Sequence, residues 1–206
     1  MKKILHVISS PVGEGSFSIK LGNAIVEKVK ATNPGSTVKE NNLVTKQYPH
    51  LVGAEIAAFY TPEAYRTPEN IASLKVSDEA IAELMEADVI VIGAPLHNFG
   101  IPSVLKAWID HVVRVGVTFS MSEKGYAGLI KPGKKMYIAM ASGGIYSEGA
   151  MQAYDFNAPY LKAVFGFIGI TDVTVVRAEG TSMPGVKDTA LEKAIAGIQI
   201  NTPVLN

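Results

Sequence analysis

Short apolar runs alternate with amphipathic segments along the chain. Ile4 to Ile8 and Val89 to Gly93 are largely continuous apolar runs rich in β-branched residues, and Met136 to Ala141 and Val173 to Val176 resemble them. Continuous runs of this kind predict strands of a parallel sheet that is covered on both faces. A weaker and more polar run from Thr37 to Leu43 predicts an edge strand.

Helical periodicity fills the intervals between these strands. Apolar residues recur every four positions from about Ser16 to Ala31 and predict a helix, which Asn33-Pro34-Gly35 ends. Ser77 is followed by two acidic residues and predicts the N-cap of another helix, and Ser103 after Pro102 predicts the start of a third. Two further apolar stripes predict the last helices, Leu161 to Ile168 and Leu191 to Ile198.

The alternation of strand and helix predicts the fold class. It is typical of a doubly wound α/β protein, with a five-stranded parallel sheet and helices on both faces. No internal repeat, low-complexity tract or linker interrupts residues 1–206, so we expect one domain. Residues 48–70 and 118–133 do not fit the simple alternation, and we expect them to be insertions at the rim of the sheet.

Composition narrows the classes of function. The 19 Lys and Arg residues balance 19 Asp and Glu residues, so the positive field of a nucleic-acid binder is missing. There is no Cys, and the four His residues show no metal-ligand spacing, so we expect no metal site. No apolar run reaches the roughly 20 residues that span a bilayer, and the first residues lack a secretory pattern. We therefore expect a soluble, cytoplasmic protein.

The loop after the first strand is a candidate phosphate site. In open α/β sheets, ligands bind beyond the carboxyl ends of the strands, where the strand order reverses. Ser10, Ser16 and Ser18 surround the start of the first predicted helix, whose free amides and dipole attract anions. A phosphate monoester fits this loop, with Glu14 pointing outward. An N-cap role alone explains Ser16 equally well.

Motifs for other ligands fail on detail. Gly13-Glu-Gly15 begins like a dinucleotide-binding fingerprint, but Ser18 stands where the third glycine belongs. Gly128 to Lys134 spells most of a P-loop, but Lys135 replaces the hydroxyl residue that holds magnesium, and a strand follows. A basic turn is the better interpretation of that segment. The chain contains neither a Gly-x-Ser-x-Gly elbow nor a His-Glu-x-x-His motif.

The loops after the next two buried strands favour a flat aromatic ligand. From Ala94 to Pro102, two prolines and a glycine stiffen a loop with apolar side chains and Asn98, which both donates and accepts. In Ala141 to Tyr146, Gly143 and Gly144 let the main chain approach a ligand, although an ordinary turn is as good an interpretation. Together the three loops suit flavin mononucleotide (FMN) better than a dinucleotide. The phosphate loop has neither a lysine nor a magnesium ligand, which suits a retained cofactor rather than a transferred phosphoryl group.

Several segments together resemble the FMN-dependent NADH:azoreductases, which also act as NADH:quinone oxidoreductases. The segments are Ser10 with Ser16–Ser18, Pro95–Ser103 with Leu105–Asp110, Gly116–Phe119, Gly143–Tyr146, and Asp155–Leu161 with Gly166–Thr171. They span essentially the whole chain, and the long central segment is the most specific. The resemblance implies a flavodoxin-like fold, bound FMN, and a homodimer with two flavins near its interface. It also implies ping-pong reduction of azo compounds and quinones by NADH.

The resemblance also implies which residues hold FMN. Ser10, Ser16, Phe17 and Ser18 match the phosphate loop; Pro95, Leu96, His97, Asn98 and Phe99 match the isoalloxazine loop; Ala141, Ser142, Gly143 and Gly144 match the segment near the pyrimidine edge. The sequence departs from the family pattern at two places. His97 stands where Tyr is common, and Ala141-Ser142 stands where Ser-Arg is familiar. The second departure removes a cation near the ring.

In the expected mechanism, the cofactor rather than the protein carries the redox chemistry. NADH stacks over the flavin, passes hydride to N5 and leaves, and an acceptor on the same face then takes the hydride. His97 is the nearby candidate for proton donation, although a role as ring wall or solvent-facing residue is the favoured interpretation. Phe119, Tyr126 and the segment around residues 59–65 are candidates for lining the acceptor slot, partly from the partner subunit. Core or dimer packing explains Phe119 equally well.

Three alternative functions stay open at this point. The enzyme's physiological acceptor can be a quinone, with azo reduction incidental. A flavodoxin-type carrier of single electrons is a different class, but such carriers usually have an acidic docking surface, and the net charge here is zero. A flavin-free regulatory domain is the third alternative, because a fold alone does not define a function.

Overall fold

The computed structural model describes residues 1–200, and five parallel strands form its main sheet. In chain order, the strands of this sheet and of a smaller second sheet are β1 (Lys3–Ile8), β2 (Thr37–Asn42), β3 (Val89–Pro95), β4 (Phe119–Ser122), β5 (Gly125–Gly128), β6 (Lys135–Ala141) and β7 (Asp172–Ala178). The sheet order is β2-β1-β3-β6-β7, and β4 and β5 form a separate antiparallel hairpin. The order therefore reverses between β1 and β3. The predicted polar strand, β2, lies at an edge.

Helices cover both faces of this sheet. They are α1 (Phe17–Thr32), α2 (Gly53–Tyr60), α3 (Pro68–Glu86), α4 (Ser103–Val112), α5 (Asn157–Phe167) and α6 (Lys187–Ala196), with short 3-10 turns at Gly13–Gly15, Glu63–Tyr65 and Gly149–Tyr154. The prediction of a doubly wound parallel sheet is confirmed. Over residues 1–200, none of the helices combines the length and apolar composition that crossing a membrane requires.

Each buried strand supplies side chains to two cores. Leu5 and Val7 of β1 pack in the core beneath α3, α4 and α5, whereas Ile4 packs in the core beneath α1 and α6. This two-sided burial explains the continuous apolar runs, because successive strand residues point to opposite faces. Each fully buried Ile, Leu or Val contributes about 1.5–3 kcal/mol to folding.

The helix predicted to begin at Ser77 starts much earlier, so the predicted N-cap is wrong. Helix α3 begins at Pro68, and the Thr67 side chain accepts a hydrogen bond from the amide of Asn70 at 3.3 Å. Proline at the first helical position and a threonine cap are favourable start signals. Ser77 lies within the helix, fully buried, and donates its hydroxyl proton to the carbonyl of His111 at 2.6 Å. Its role is to join α3 to α4.

The two predicted insertions contain secondary structure of their own. Residues 48–70 contain α2 and the first residues of α3, and Phe59 packs with Ala58 and Leu74 in a small separate core. Residues 118–133 contain the β4–β5 hairpin. The last two helices also begin before their apolar stripes, α5 at Asn157 and α6 at Lys187.

His6 is a buried polar side chain between the sheet and α1. It is 2% exposed, and a Cβ added to Gly22 of α1 would lie 2.6 Å from its Nε2 atom. Glycine at position 22 therefore makes room for the imidazole. Because burial penalises the charged form, the pKa of His6 falls from 6.5 to about 4.

We predict that His6 makes the protein less stable in mild acid. The unfolded chain takes up the His6 proton near pH 6.5 and the folded chain only near pH 4, so stability falls as pH drops between these values. The loss is on the order of 3 kcal/mol. His6→Leu should flatten this part of the pH profile, measured by urea unfolding at pH 7 and pH 4.5. His50→Gln changes an exposed histidine and should leave the pH profile of stability as it is. If the free energy of unfolding fell equally between pH 7 and pH 4.5 in the wild type and both variants, the role of His6 would be contradicted.

Candidate cofactor-binding site

Three loops meet at the carboxyl edge of the sheet, where the strand order reverses. In the pairing of β1 with β3, Ile8 lies opposite Gly93, and the Ser9 hydroxyl donates to the Gly93 carbonyl at 2.6 Å. In the pairing of β3 with β6, the amide of Leu96 donates to the carbonyl of Ala141 at 2.8 Å. These contacts hold the loops after β1, β3 and β6 side by side.

The predicted phosphate loop has a buried cluster of serine hydroxyls. Ser10, Ser16 and Ser18 are all buried. The hydroxyls of Ser16 and Ser18 lie 3.0 Å apart, and Ser16 Oγ also accepts from the amide of Ile19 at 3.4 Å. Ser16 is thus the N-cap of α1 and, at the same time, a hydrogen-bond partner of the Ser18 hydroxyl. Ser18 is fully buried, and its hydroxyl holds the Ser16 hydroxyl in position.

Backbone amides complete this loop. The amides of Phe17 and Ser18 precede the first intrahelical hydrogen bonds of α1, so they point out of the helix end and favour an anion. Glu14 is exposed, as expected for a loop that receives an anion. The carbonyl oxygen of Ser18 would lie 3.4 Å from a Cβ at Gly93, which shows how closely α1 approaches β3.

The loop after β3 contains a tight two-residue turn. The amides of His97 and Gly100 each donate to the other's carbonyl at 2.9 Å, and Asn98 and Phe99 between them have φ of 49° and 66°. This is the geometry of a type I′ turn, which prefers Asn followed by Gly. Phenylalanine in the left-handed region costs about 1–2 kcal/mol, so the turn is strained at Phe99.

Aromatic contacts hold Phe99 in place. Its ring centroid lies 5.3 Å from that of Tyr154 and 6.3 Å from that of Tyr146.

His97 is exposed and lines a cavity of about 620 Å³ together with Ser9 and His50. A cavity of this size accommodates a small aromatic molecule.

The loop after β6 is bonded to a fourth loop that the sequence analysis did not single out. Three amides of the loop after β7 donate to it: Gly180 to the Gly144 carbonyl at 3.0 Å, Thr181 to Ser142 at 3.1 Å, and Ser182 to Gly143 at 3.1 Å. A Cβ on Gly143 would lie 2.9 Å from Ser182 Oγ, so a larger residue there would displace the Ser182 side chain. Gly143 therefore serves loop packing as well as any ligand.

A cluster of charged residues at the end of β7 lies next to this loop, to which Glu179 is joined by the amide of Tyr146. The guanidinium of Arg177 contacts Asp155 at 2.5 Å and Glu179 at 3.4 Å. Arg177 is paired in register with Met140, next to Ala141-Ser142, where the chain lacks the cation of the family pattern. A cation is therefore present on the neighbouring strand. The sequence signal was a pair of charged residues at the end of the last strand.

Phe119 and Tyr126 lie far from the three loops within one chain. Their ring centroids are 6.3 Å apart, and both rings contact Phe167 at the C-terminal end of α5. Helix α5 begins beside the carboxyl edge, where the Asn157 side chain donates to the carbonyl of Pro95, and it runs about 15 Å toward the opposite edge. Within one chain, these two residues therefore do not line a site formed by the three loops.

Comparison with known proteins agrees with this architecture. Residues 2–200 match the family described as flavodoxin-like fold. An FMN-dependent NADH:quinone oxidoreductase from Herminiimonas arsenicoxydans is 50% identical over 183 residues, which is 89% of each chain. Another from Ralstonia nicotianae is 45% identical over 198 residues, covering 95% of each chain.

Solved structures give the same result. The azoreductase from Bacillus anthracis str. Sterne superposes with a TM-score of 0.85 at 31% identity, covering 95% of this chain and 98% of that one. The FMN-dependent NADH-azoreductase from Bacillus anthracis str. Ames Ancestor, in complex with FMN, gives 0.82 at 30% identity, covering 94% and 96%. The chain therefore belongs to the flavodoxin-like family and, within it, to the group containing these quinone oxidoreductases and azoreductases. The predicted flavodoxin-like fold and the resemblance are confirmed.

We predict that the strain at Phe99 is measurable. Phe99→Ala removes the ring but keeps a Cβ at φ 66°, whereas Phe99→Gly removes both the ring and the strain. Phe99→Gly should therefore be more stable than Phe99→Ala by about 1 kcal/mol, as measured by urea unfolding. If Phe99→Gly were instead the less stable variant, the left-handed conformation of Phe99 would be contradicted. That order is the one expected without strain, because glycine has the greater entropy in the unfolded chain.

Proposed function

We propose that the protein binds FMN and uses it to transfer reducing equivalents from NADH to quinones and azo compounds. The observation that carries the proposal is the convergence of a helix N-terminus with buried serine hydroxyls and two loops held by backbone hydrogen bonds at the switch point of the sheet. The names of its relatives support the same chemistry.

The donor set of the first loop fits the phosphate of FMN. The hydroxyls of Ser10 and Ser16 and the amides of Phe17 and Ser18 would hold it, with the α1 dipole adding a favourable field. These groups are neutral, so the affinity of the loop for phosphate would depend on their number and orientation. Ser18 would contribute its amide and would hold the Ser16 hydroxyl in position.

The second and third loops would hold the ring through main-chain groups. Pro95, Leu96, His97, Asn98 and Phe99 would form one wall, and Ala141, Ser142, Gly143 and Gly144 would form the other. The stiff turn and the bonded loop after β6 preorganise these walls, which reduces the entropy lost on binding.

Bound FMN would supply the hydride-accepting ring for a ping-pong cycle with NADH and then a quinone or azo compound. The chain itself would orient the reactants and exclude water from the slot. His97 borders the cavity beside the turn and is the candidate to donate a proton to the departing product. No other protein acid or base is assigned.

A homodimer and a cytoplasmic location belong to this proposal. The cluster of Phe119, Tyr126 and Phe167 is partly exposed at the edge of the sheet opposite the three loops. A partner subunit that brought this cluster over the site would complete the acceptor slot with apolar surface. Quinones and azo dyes are flat and largely apolar, which suits such a slot.

The flavodoxin-type carrier of single electrons is the second candidate. It would require a charged docking surface for partner proteins, whereas the chain has equal numbers of acidic and basic residues. Reductive titration separates the two candidates. A carrier shows two resolved one-electron steps, and the proposed enzyme shows one two-electron step.

We predict a yellow protein with NADH-dependent reductase activity. The test is to purify the full chain with added FMN, record its visible spectrum, and follow NADH oxidation with menadione and with an azo dye. The ratio of turnover on the two acceptors tells whether quinone or azo reduction is the better activity. A colourless protein that fails to bind added FMN would overturn the proposal and favour the flavin-free alternative.

We predict that Ser16→Ala weakens FMN binding by about tenfold or more, because it removes a hydrogen bond to a charged phosphate. It also removes a helix N-cap, which by itself costs roughly 1 kcal/mol of stability. Thr67→Ala is the matched control, because Thr67 also caps a helix with its side chain and is not part of the loop assigned to the phosphate. FMN titration by fluorescence should separate the two variants, while urea unfolding should show similar losses. Equal FMN affinity in both would exclude Ser16 from phosphate binding.

A further inference from the structure

We propose that Arg177 is a positioning residue that ties together the two loops assigned to the walls of the flavin ring. This inference rests on the proposed function for its ligand, but the coupling of the loops is a property of the chain itself. Arg177 forms its ion pairs with Asp155 and Glu179. It acts through two carboxylates, each of which is fastened to a different wall.

The guanidinium of Arg177 holds both carboxylates in a sheltered position. It lies 2.5 Å from Asp155 Oδ2 and 3.4 Å from Glu179 Oε1, and the three side chains are 21%, 9% and 11% exposed. Ion pairs at this depth are screened less than surface pairs. Arginine suits the task because its planar fork presents several donors in fixed directions.

The first carboxylate fastens the loop after β6. Glu179 Oε1 accepts a hydrogen bond from the amide of Tyr146 at 2.9 Å, and its Oε2 accepts one from the hydroxyl of Ser147. These residues follow Gly143 and Gly144 after a single residue, Ile145. Glu179 therefore fixes the exit of this wall, and Arg177 fixes the direction in which Glu179 points.

The second carboxylate leads to the loop after β3. Asp155 Oδ1 accepts from the amide of Ala158 at 3.2 Å and so stabilises the first turn of α5. In the same turn, the fully buried Asn157 donates to the carbonyl of Pro95 at 3.4 Å. The chain of contacts thus runs from Arg177 through α5 to the start of the other wall.

Charge explains why removing Arg177 would disturb both walls. Asp155 and Glu179 share one cation, so without it two carboxylates would face each other in a partly buried place. They would separate to reach water, and each would release the backbone that it holds. This cation lies one strand away from the Ala141-Ser142 position and serves the same region of the site.

The test compares Arg177→Met with a matched ion pair at the other end of the same strands. Lys135 lies 2.5 Å from Asp172 at the amino ends of β6 and β7, so Lys135→Met breaks a cross-strand pair away from the site. We expect Arg177→Met to weaken FMN binding by about tenfold and Lys135→Met by less than about twofold. Arg177→Lys should be intermediate, because one ammonium keeps the charge but does not form the fork.

Hydrogen exchange supplies a readout that does not require FMN. In Arg177→Met, the Tyr146 amide and the segment around Leu96 and Phe99 should exchange faster, whereas Lys135→Met should leave both as in the wild type. Unchanged exchange at these amides, or equal FMN affinity in the two methionine variants, would overturn the inference. If the wild type binds no FMN, the proposed function fails, and hydrogen exchange alone decides the role of Arg177.

Discussion

Parallel pairing of the strands is the constraint on which the rest of the structure depends. Each connection between parallel strands must cross back over a face of the sheet, so every strand ends at the same edge. The loops after β1, β3, β6 and β7 therefore meet although long stretches of sequence separate them. Reversal of the strand order between β1 and β3 then opens a crevice that helices on the two faces leave uncovered.

The site at this edge is held by polar contacts rather than by apolar packing. Loops that present main-chain groups to a ligand cannot also use them in the sheet, so other groups must hold them in place. Here the Ser9 hydroxyl, the backbone bonds from residues 180–182 and the Arg177 network perform that task. The strained turn at Phe99 is the exception, because neighbouring aromatic rings rather than polar contacts keep it in a conformation that it would not otherwise prefer.

Much of the fold and part of the site could be predicted from local pattern. Two-sided burial makes strand sequences continuously apolar, so the main strands were evident, and the segment from Pro95 to Ser103 carried the family resemblance. The start of α3 is not evident from local pattern, because the acidic residues after Ser77 imitate a helix start, whereas the true start signal, Thr67-Pro68, lies in a segment that does not fit the alternation of strand and helix. Local signals of this kind compete, and only packing decides between them.

The sequence by itself determined the strand and helix alternation, the neutral charge, and the three loops with their serines, glycines and stiff turn, because these depend on residues close together in the chain. Tertiary structure alone decided which distant residues meet. It placed Arg177 between Asp155 and Glu179, put Phe99 in a left-handed conformation, and set Tyr126 at the edge opposite the loops. The physical reason is that sheet order and helix crossing direction, which no local pattern encodes, determine these distances.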